Sequence, residues 1–312
     1  MDTSWTLAPS TSQNIYLFLN TLQNSKHANT SFLPMNTITL PDDLPLDHSQ
    51  AVQVFDYQSA KEIAKQQIAL NRNTFSFLTE GTKEVVFDNS ALAIDNSQFL
   101  IMKSGHCLMT ERLSGNRNYS SVLLFFSNET VMQFLRKNGL TVNGASGYPS
   151  VHSFRYDEFI QRFVSSLLDI AKLSKVTQKK LIEVKLEEIL LYLTEIHGTG
   201  FLHALTANSD NATQKFIRTV EMNQWNKLTV NELAFLCNKS VSSFKREFEK
   251  HYGESPIKWF QNKRLEKAYH LLHQEHKNAS EIYFEVGYEN LSSFIQAYKS
   301  KYGVTPKQHH KS

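Results

Sequence analysis

Two twelve-residue stretches, VSSFKREFEKHY at 241–252 and LSSFIQAYKSKY at 291–302, carry the side chains of this 312-residue chain best suited to recognition chemistry. Arg246, beside Lys245, can fork onto the acceptor edge of guanine, Gln296 matches an adenine edge, and Ile295 suits a thymine methyl. Lys250, Lys299 and Lys301 offer point charges for phosphate oxygens, which add affinity but little sequence information. The hydroxyls of Ser242, Ser243 and Ser292 can serve phosphate or base alike. The expected task of the set is to read double-stranded DNA through its major groove. A solvated charge pair is the plain alternative for Lys245 and Arg246.

The two stretches are copies of one another. Ser242, Ser243, Phe244, Tyr252, Gly253 and Pro256 recur fifty residues on as Ser292, Ser293, Phe294, Tyr302, Gly303 and Pro306, with Phe248 answered by Tyr298 and Ser255 by Thr305. Upstream the offset falls to 49, Leu233 matching Ile282 and Cys237 matching Val286, which places one extra residue in the second copy's turn.

Each copy reads as a helix-turn-helix. In the first, TVNELAFLC is a short helix, Asn238 and Lys239 make the turn, and Ser240 caps the next helix. Phe244 and Phe248 sit one turn apart on the buried face, leaving Ser242, Lys245, Arg246 and Glu249 to point elsewhere. In the second, SEIYFEV runs into a turn whose Gly287 suits a positive φ, and Asn290 caps the helix anchored by Phe294 and Tyr298. Ser292, Ile295, Gln296 and Lys299 are then the outward set. Between the copies, PIKWFQNKRLEKAYHLLHQ opens with a proline at a permitted helix start and carries Trp259, Leu265, Ala268, Leu271 and Leu272 at helical spacing. Such a strut would hold two readers on successive major-groove segments, about 34 Å apart.

Residues 213–312 resemble the DNA-binding domain of the AraC/XylS family of transcription regulators. The string I-x-x-x-V-G-Y, then S-x-F, then Y-G-V-T-P keeps the family spacing from Ile282 to Pro306. The resemblance implies base contacts by Ser242, Lys245, Arg246, Ser292 and Gln296, activation rather than repression, and RNA polymerase as a partner. Three departures stand out. Tyr283 occupies a position where the family has a small alanine, so the second unit is expected to pack differently. Asn238 replaces a turn glycine, and the ending QHHKS lacks the family's aromatic-arginine finish, which predicts a frayed last helix.

Upstream, VQVFDY, QIAL, TFSFL, KEVVF, ALAI, QFLIM and SVLLFF alternate with turn residues such as Asn71, Gly81, Asn89 and Gly105, the pattern of a small β-barrel or sandwich. A helix at about 128–137, the loop NGASGYPS and two amphipathic helices at about 156–173 and 178–196 follow. In the second of these, Ile182, Leu186, Ile189 and Leu193 form an apolar stripe that can pack on its own domain or dimerise. TANSDNATQ at 206–214 reads as a linker. The order of elements resembles the family's cupin-like sensor halves. The expected fold is α+β: a cupin-like β-barrel with two helices and sensor and dimerisation roles over 1–205, then an all-α domain with two helix-turn-helix units over 213–312.

Charge follows the same division, with 16 Lys and Arg against 10 Asp and Glu in 213–312, and 17 against 20 before it. A basic C-terminal part suits a polyanionic partner. Cys107 and Cys237 lie far apart without metal or redox spacing, and neither a basic leader nor a long apolar span is seen, so a cytoplasmic protein is expected. His106 beside Cys107 raises the rival reading, a metal-dependent cupin-type enzyme fused to a DNA-binding module. No H-x-H with a following carboxylate supports it, and the histidines at 270, 273 and 276 fit a polar helix face better than a ligand set. No cofactor and no metal are expected. The partners expected are promoter DNA, an effector that is a small molecule or a protein, and a second copy in a homodimer.

Overall fold

A computed structural model of the protein describes residues 37–141, 148–170, 172–206, 212–275 and 277–309. The β-branched and aromatic runs become strands because alternate side chains find an apolar interior. One sheet has the order β1 (Ile38–Leu40), β3 (Ile63–Leu70), β8 (Gly105–Arg112), β5 (Thr82–Val86), β6 (Ala91–Asp95). The other runs β10 (Val151–Arg155), β7 (Gln98–Met102), β4 (Asn73–Glu80), β9 (Tyr119–Phe126), β2 (Val52–Ser59). Only β1 lies parallel to its neighbour among the described pairings. The expected closed barrel is not formed: among the described residues no strand of one sheet pairs with a strand of the other, and the architecture is α+β with two facing open sheets.

The chain crosses from one sheet to the other at Gly81, and glycine is required there. Its φ is +92°, and a Cβ would lie 2.5 Å from the Arg112 carbonyl oxygen and 2.9 Å from the Tyr119 ring. Behind the crossing, β4 and β7 bring Phe77 opposite Phe99 with ring centroids 5.1 Å apart.

Four helices cover the outer face of the second sheet: α1 (Asn128–Lys137), α2 (Glu158–Ile170), α3 (Lys175–His197) and α4 (Gly200–Thr206). Phe75, Phe77 and Phe99 meet Phe163, Leu186 and Leu193 in one core. The stripe read as a candidate dimerisation surface lies inside this core: Ile182, Leu186, Ile189 and Leu193 are 8%, 1%, 0% and 1% exposed. Burial against the phenylalanines removes their apolar surface from water without a second chain. The same helix turns Val176, Val184 and Leu191 outward instead.

The C-terminal part consists of α5 (Ala212–Met222), α6 (Val230–Leu236), α7 (Val241–Tyr252), α8 (Pro256–His273), α9 (Ala279–Ile282), α10 (Leu291–Tyr302) and α11 (Pro306–His309). Of the expected linker, residues 207–211 lie outside the described residues, as do 143–147 of the expected loop, and α5 begins inside the linker's last residues. The strut expected between the copies is α8, which gives Phe260 to the core of the first unit and Leu265, Ala268, Leu271 and Leu272 to that of the second.

Candidate nucleic-acid interface

Both units are built alike around a capped second helix. Ser240 Oγ accepts the Ser243 amide at 3.2 Å at the start of α7, and Asn290 Oδ1 accepts the Ser293 amide at 2.8 Å at the start of α10. Phe244 and Phe248 in the first unit and Phe294 and Tyr298 in the second are 0% exposed and lock each helix by one face. The helices stop at Gly253 and Gly303, with φ of 70° and 76° in the left-handed region. The turn before α7 passes through Asn238 at φ 55°, and the matching turn before α10 through Gly287 at φ 91°. Asparagine therefore does take the left-handed place held by glycine in the second copy.

On the faces left over, Ser242, Lys245, Arg246 and Lys250 are exposed on α7, and Ser292, Gln296 and Lys299 on α10. Among the described residues Lys245, Arg246, Lys250 and Lys299 enter no ion pair, so their donors stand open to an anion. Three candidates sit differently. Ser243 is half-buried, and its hydroxyl accepts a hydrogen bond from the cap Ser240 at 3.0 Å. Ile295 is half-buried and packs against the second unit's core. Lys301 turns back to α8, where its ammonium donates to the Asn262 carbonyl at 2.9 Å and pairs with Glu266 at 3.2 Å.

The first helices of the two units differ. Both open on a capping box, Thr229 with Glu232 in α6 and Asn278 with Glu281 in α9, so the difference lies further along. α9 is only four residues long, and Tyr283 follows it half-buried against the core rather than inside it, which is where the expected difference in packing appears. The last helix is held rather than frayed up to His309, whose Nδ1 lies 3.0 Å from the Tyr298 hydroxyl.

Residues 233–312 match the family described as "Helix-turn-helix domain", and residues 73–205 match "ExsA N-terminal regulatory domain". The chain is 30% identical over 129 residues to the thermoregulatory protein LcrF of Yersinia pestis, an alignment covering 41% of this chain and 48% of that protein. It is likewise 30% identical over 129 residues to the virulence regulon transcriptional activator VirF of Yersinia enterocolitica, again 41% of this chain and 48% of that one. These relatives are AraC-family regulators, and the chain is similar to them. It spans about half the length of these curated relatives. Among solved structures it is similar to ToxT from Vibrio cholerae strain SCE256, at 13% identity and a TM-score of 0.40 over 84% of this chain and 97% of that one.

In this chain the two parts touch through side chains of which the sequence reading had singled out only His106, and that for a different role. Lys215 and Arg218, one turn apart on α5, approach the Asp88 carboxylate at 3.9 and 3.6 Å. Lys65 pairs with the buried Glu232 at 3.7 Å. Leu236 of α6 is 0% exposed between Val86 and Leu108, and the His106 ring stands edge-on to Phe235 at 4.8 Å. The three-residue spacing of Lys215 and Arg218 was a readable signal of one basic face, but nothing nearby in sequence pointed to Asp88. Burial and the Lys215 charge push the His106 imidazole below its usual range. Among the described residues no three His, Cys, Asp or Glu side chains gather as a metal site would need, and no helix is long and apolar enough to cross a membrane.

Proposed function

We propose that the chain is a sequence-specific DNA-binding transcription activator, with residues 213–312 as its reader and residues 1–205 as a cupin-like sensor. The carrying observation is the pair of side-chain-capped helices, α7 and α10, each locked by two buried aromatic residues and each exposing polar and cationic side chains. Arg246 and Lys245 read bases in one half-site and Gln296 in the other, while Lys250 and Lys299 hold phosphates. Ser242 and Ser292 serve either, Ile295 adds an apolar contact at the groove edge, and Ser243 and Lys301 contribute from the flanks of the same helices. Activation is supported by the printed name of the relative VirF, and contact with RNA polymerase is the proposed route to it. A cytoplasmic homodimer is the assembly that fits a reader of this kind.

The test is a binding titration on genomic fragments at several salt concentrations, followed by genome-wide mapping of occupied sites. A site preferred over scrambled DNA by a factor of at least about a thousand agrees with specific recognition. Uniform affinity for all fragments, falling steeply with salt, would reduce the protein to a non-specific binder.

A further inference from the structure

The duplication that builds the two helix-turn-helix units also repeats the place by which each one is held. At the 49-residue offset Phe284 answers Phe235, and Glu285 answers Leu236. Leu233 and Cys237 fill the core of the first unit, and Ile282 and Val286 that of the second, so the two residues between them face elsewhere. In the first unit they dock on the N-terminal part, Phe235 against the His106 ring and Leu236 between Val86 and Leu108. In the second unit the same two positions dock on the first unit and on the strut.

The Lys227 ammonium, from the loop between α5 and α6, stands 3.7 Å from the centroid of the Phe284 ring, where the electron-rich face attracts a cation. Beside it, Lys267 of α8 pairs with Glu285 at 3.2 Å and lies 6.0 Å from the ring of Trp225 in the same loop. Phe284 is 65% exposed, so it adds little to its own unit's core and its ordered contact is with the other unit. The loop is held from behind as well. Asn226 Nδ2 donates to Asn223 Oδ1 at 2.8 Å, and the Lys65 ammonium of β3 donates to the Lys227 carbonyl. Lys65 takes a left-handed φ of 50° where β3 slips register against β8, the kind of bulge that re-aims a side chain.

We propose that Phe284 and Lys227, with Lys267 bridging Glu285 and Trp225, form a brace beside α8 that fixes the relative orientation of α7 and α10, and so act as positioning residues for the half-site spacing the chain accepts. The strut sets how far apart the two cores lie, and a contact off its axis sets how far one unit is turned against the other. Spacing depends on both, because one added base pair moves a half-site by about 3.4 Å and turns it by about 35°. The proposal rests on the reading of the chain as a DNA-binding protein with two readers, and it names what sets their geometry.

The experiment has two arms on the full chain. In the first, nitroxide labels at the exposed positions Glu249→Cys on α7 and Ser300→Cys on α10 report the distance between the readers by pulsed electron paramagnetic resonance, Cys107 and Cys237 being buried. The parent should give one narrow distance, Phe284→Ala a shifted or broader distribution, and Phe284→Tyr, which keeps a ring face for Lys227, the distance of the parent. In the second, unlabelled proteins are titrated against the preferred site and against sites with one base pair added or removed between the half-sites. Phe284→Ala should lower the preference for the natural spacing by about two- to fivefold, the size of one exposed cation–π contact, with affinity for an isolated half-site unchanged and the preference restored in Phe284→Tyr. Equal distance distributions in the parent and Phe284→Ala overturn the brace. An unchanged spacing preference, or an equal loss on all sites with a lower unfolding midpoint, overturns its role in positioning. A parent that binds no DNA removes the regulator reading, and the distance arm then decides by itself whether the brace holds the two units.

Discussion

The Tyr298 hydroxyl and His309 Nδ1 lie 3.0 Å apart, tying the short last helix to the buried face of α10. His309 also stands edge-on to Tyr269 and His273, at 5.2 and 4.6 Å. Removing only the hydroxyl by Tyr298→Phe should lower stability by about 0.5–1.5 kcal/mol, the usual net contribution of one hydrogen bond. Urea unfolding of the two proteins measures it, and an unchanged midpoint would mean that the last helix is held by ring packing alone.

Leu236 belongs to the first helix-turn-helix but is buried by Val86 and Leu108 of the other part. Leu236→Ala should therefore destabilise the full chain by about 2–5 kcal/mol, as for other buried leucines. A fragment from residue 206 onward, which holds both helix-turn-helix units and their strut, lacks those neighbours and should lose much less. Equal losses in both would place the side chain's partners within the C-terminal part.

His106 gives the contact between the parts a pH dependence. Its imidazole, facing Phe235 and the Lys215 charge, titrates below the usual histidine range when folded. The unfolded chain then binds the proton more readily, so this stabilising contribution is complete above the ordinary histidine value of about 6.5 and is lost as pH falls through the depressed folded value. His152 is depressed in the same sense by burial, so the informative quantity is a difference between proteins. His106→Leu should lose less stability than the natural chain between neutral and mildly acidic pH, read by urea unfolding at each. Identical acid losses would show that His106 is solvated in the folded state.

Helix α3 makes opposite predictions for its two faces. Leu186 is 1% exposed, so Leu186→Lys should unfold the N-terminal part rather than separate subunits. Val184 is 60% exposed, and Val184→Lys should weaken self-association while leaving the unfolding midpoint within about 0.5 kcal/mol. Sedimentation of both variants decides. A Val184→Lys chain that associates like the parent would remove α3 from the proposed dimer.

What could be read in advance followed from periodicity and local chemistry. The repeat placed Phe244, Phe248, Phe294 and Tyr298 inside, and cap rules found Ser240 and Asn290, because these signals act within one turn of helix. The left-handed turn at Asn238 was legible for the same reason. The facing of α3 was not, because its sequence is apolar on two sides and only the neighbouring sheet decides which side is buried. The Asp88 contact with Lys215 and Arg218 joins residues more than a hundred positions apart, which no local pattern encodes. Lys301 looked free on its helix until α8 supplied Asn262 and Glu266.

The central claim is that α7 reads bases while charged residues such as Lys299 hold the backbone. It is tested by titrating Arg246→Ala and Lys299→Ala against the preferred site and scrambled DNA at several salt concentrations. Arg246→Ala should cost about 1–3 kcal/mol on the preferred site with little change on scrambled DNA. Lys299→Ala should weaken both DNAs alike and lower the salt slope by roughly one unit. If Arg246→Ala instead lowered affinity for both DNAs by the same factor, Arg246 would be a phosphate anchor, and the proposed orientation of α7 in the groove would be contradicted.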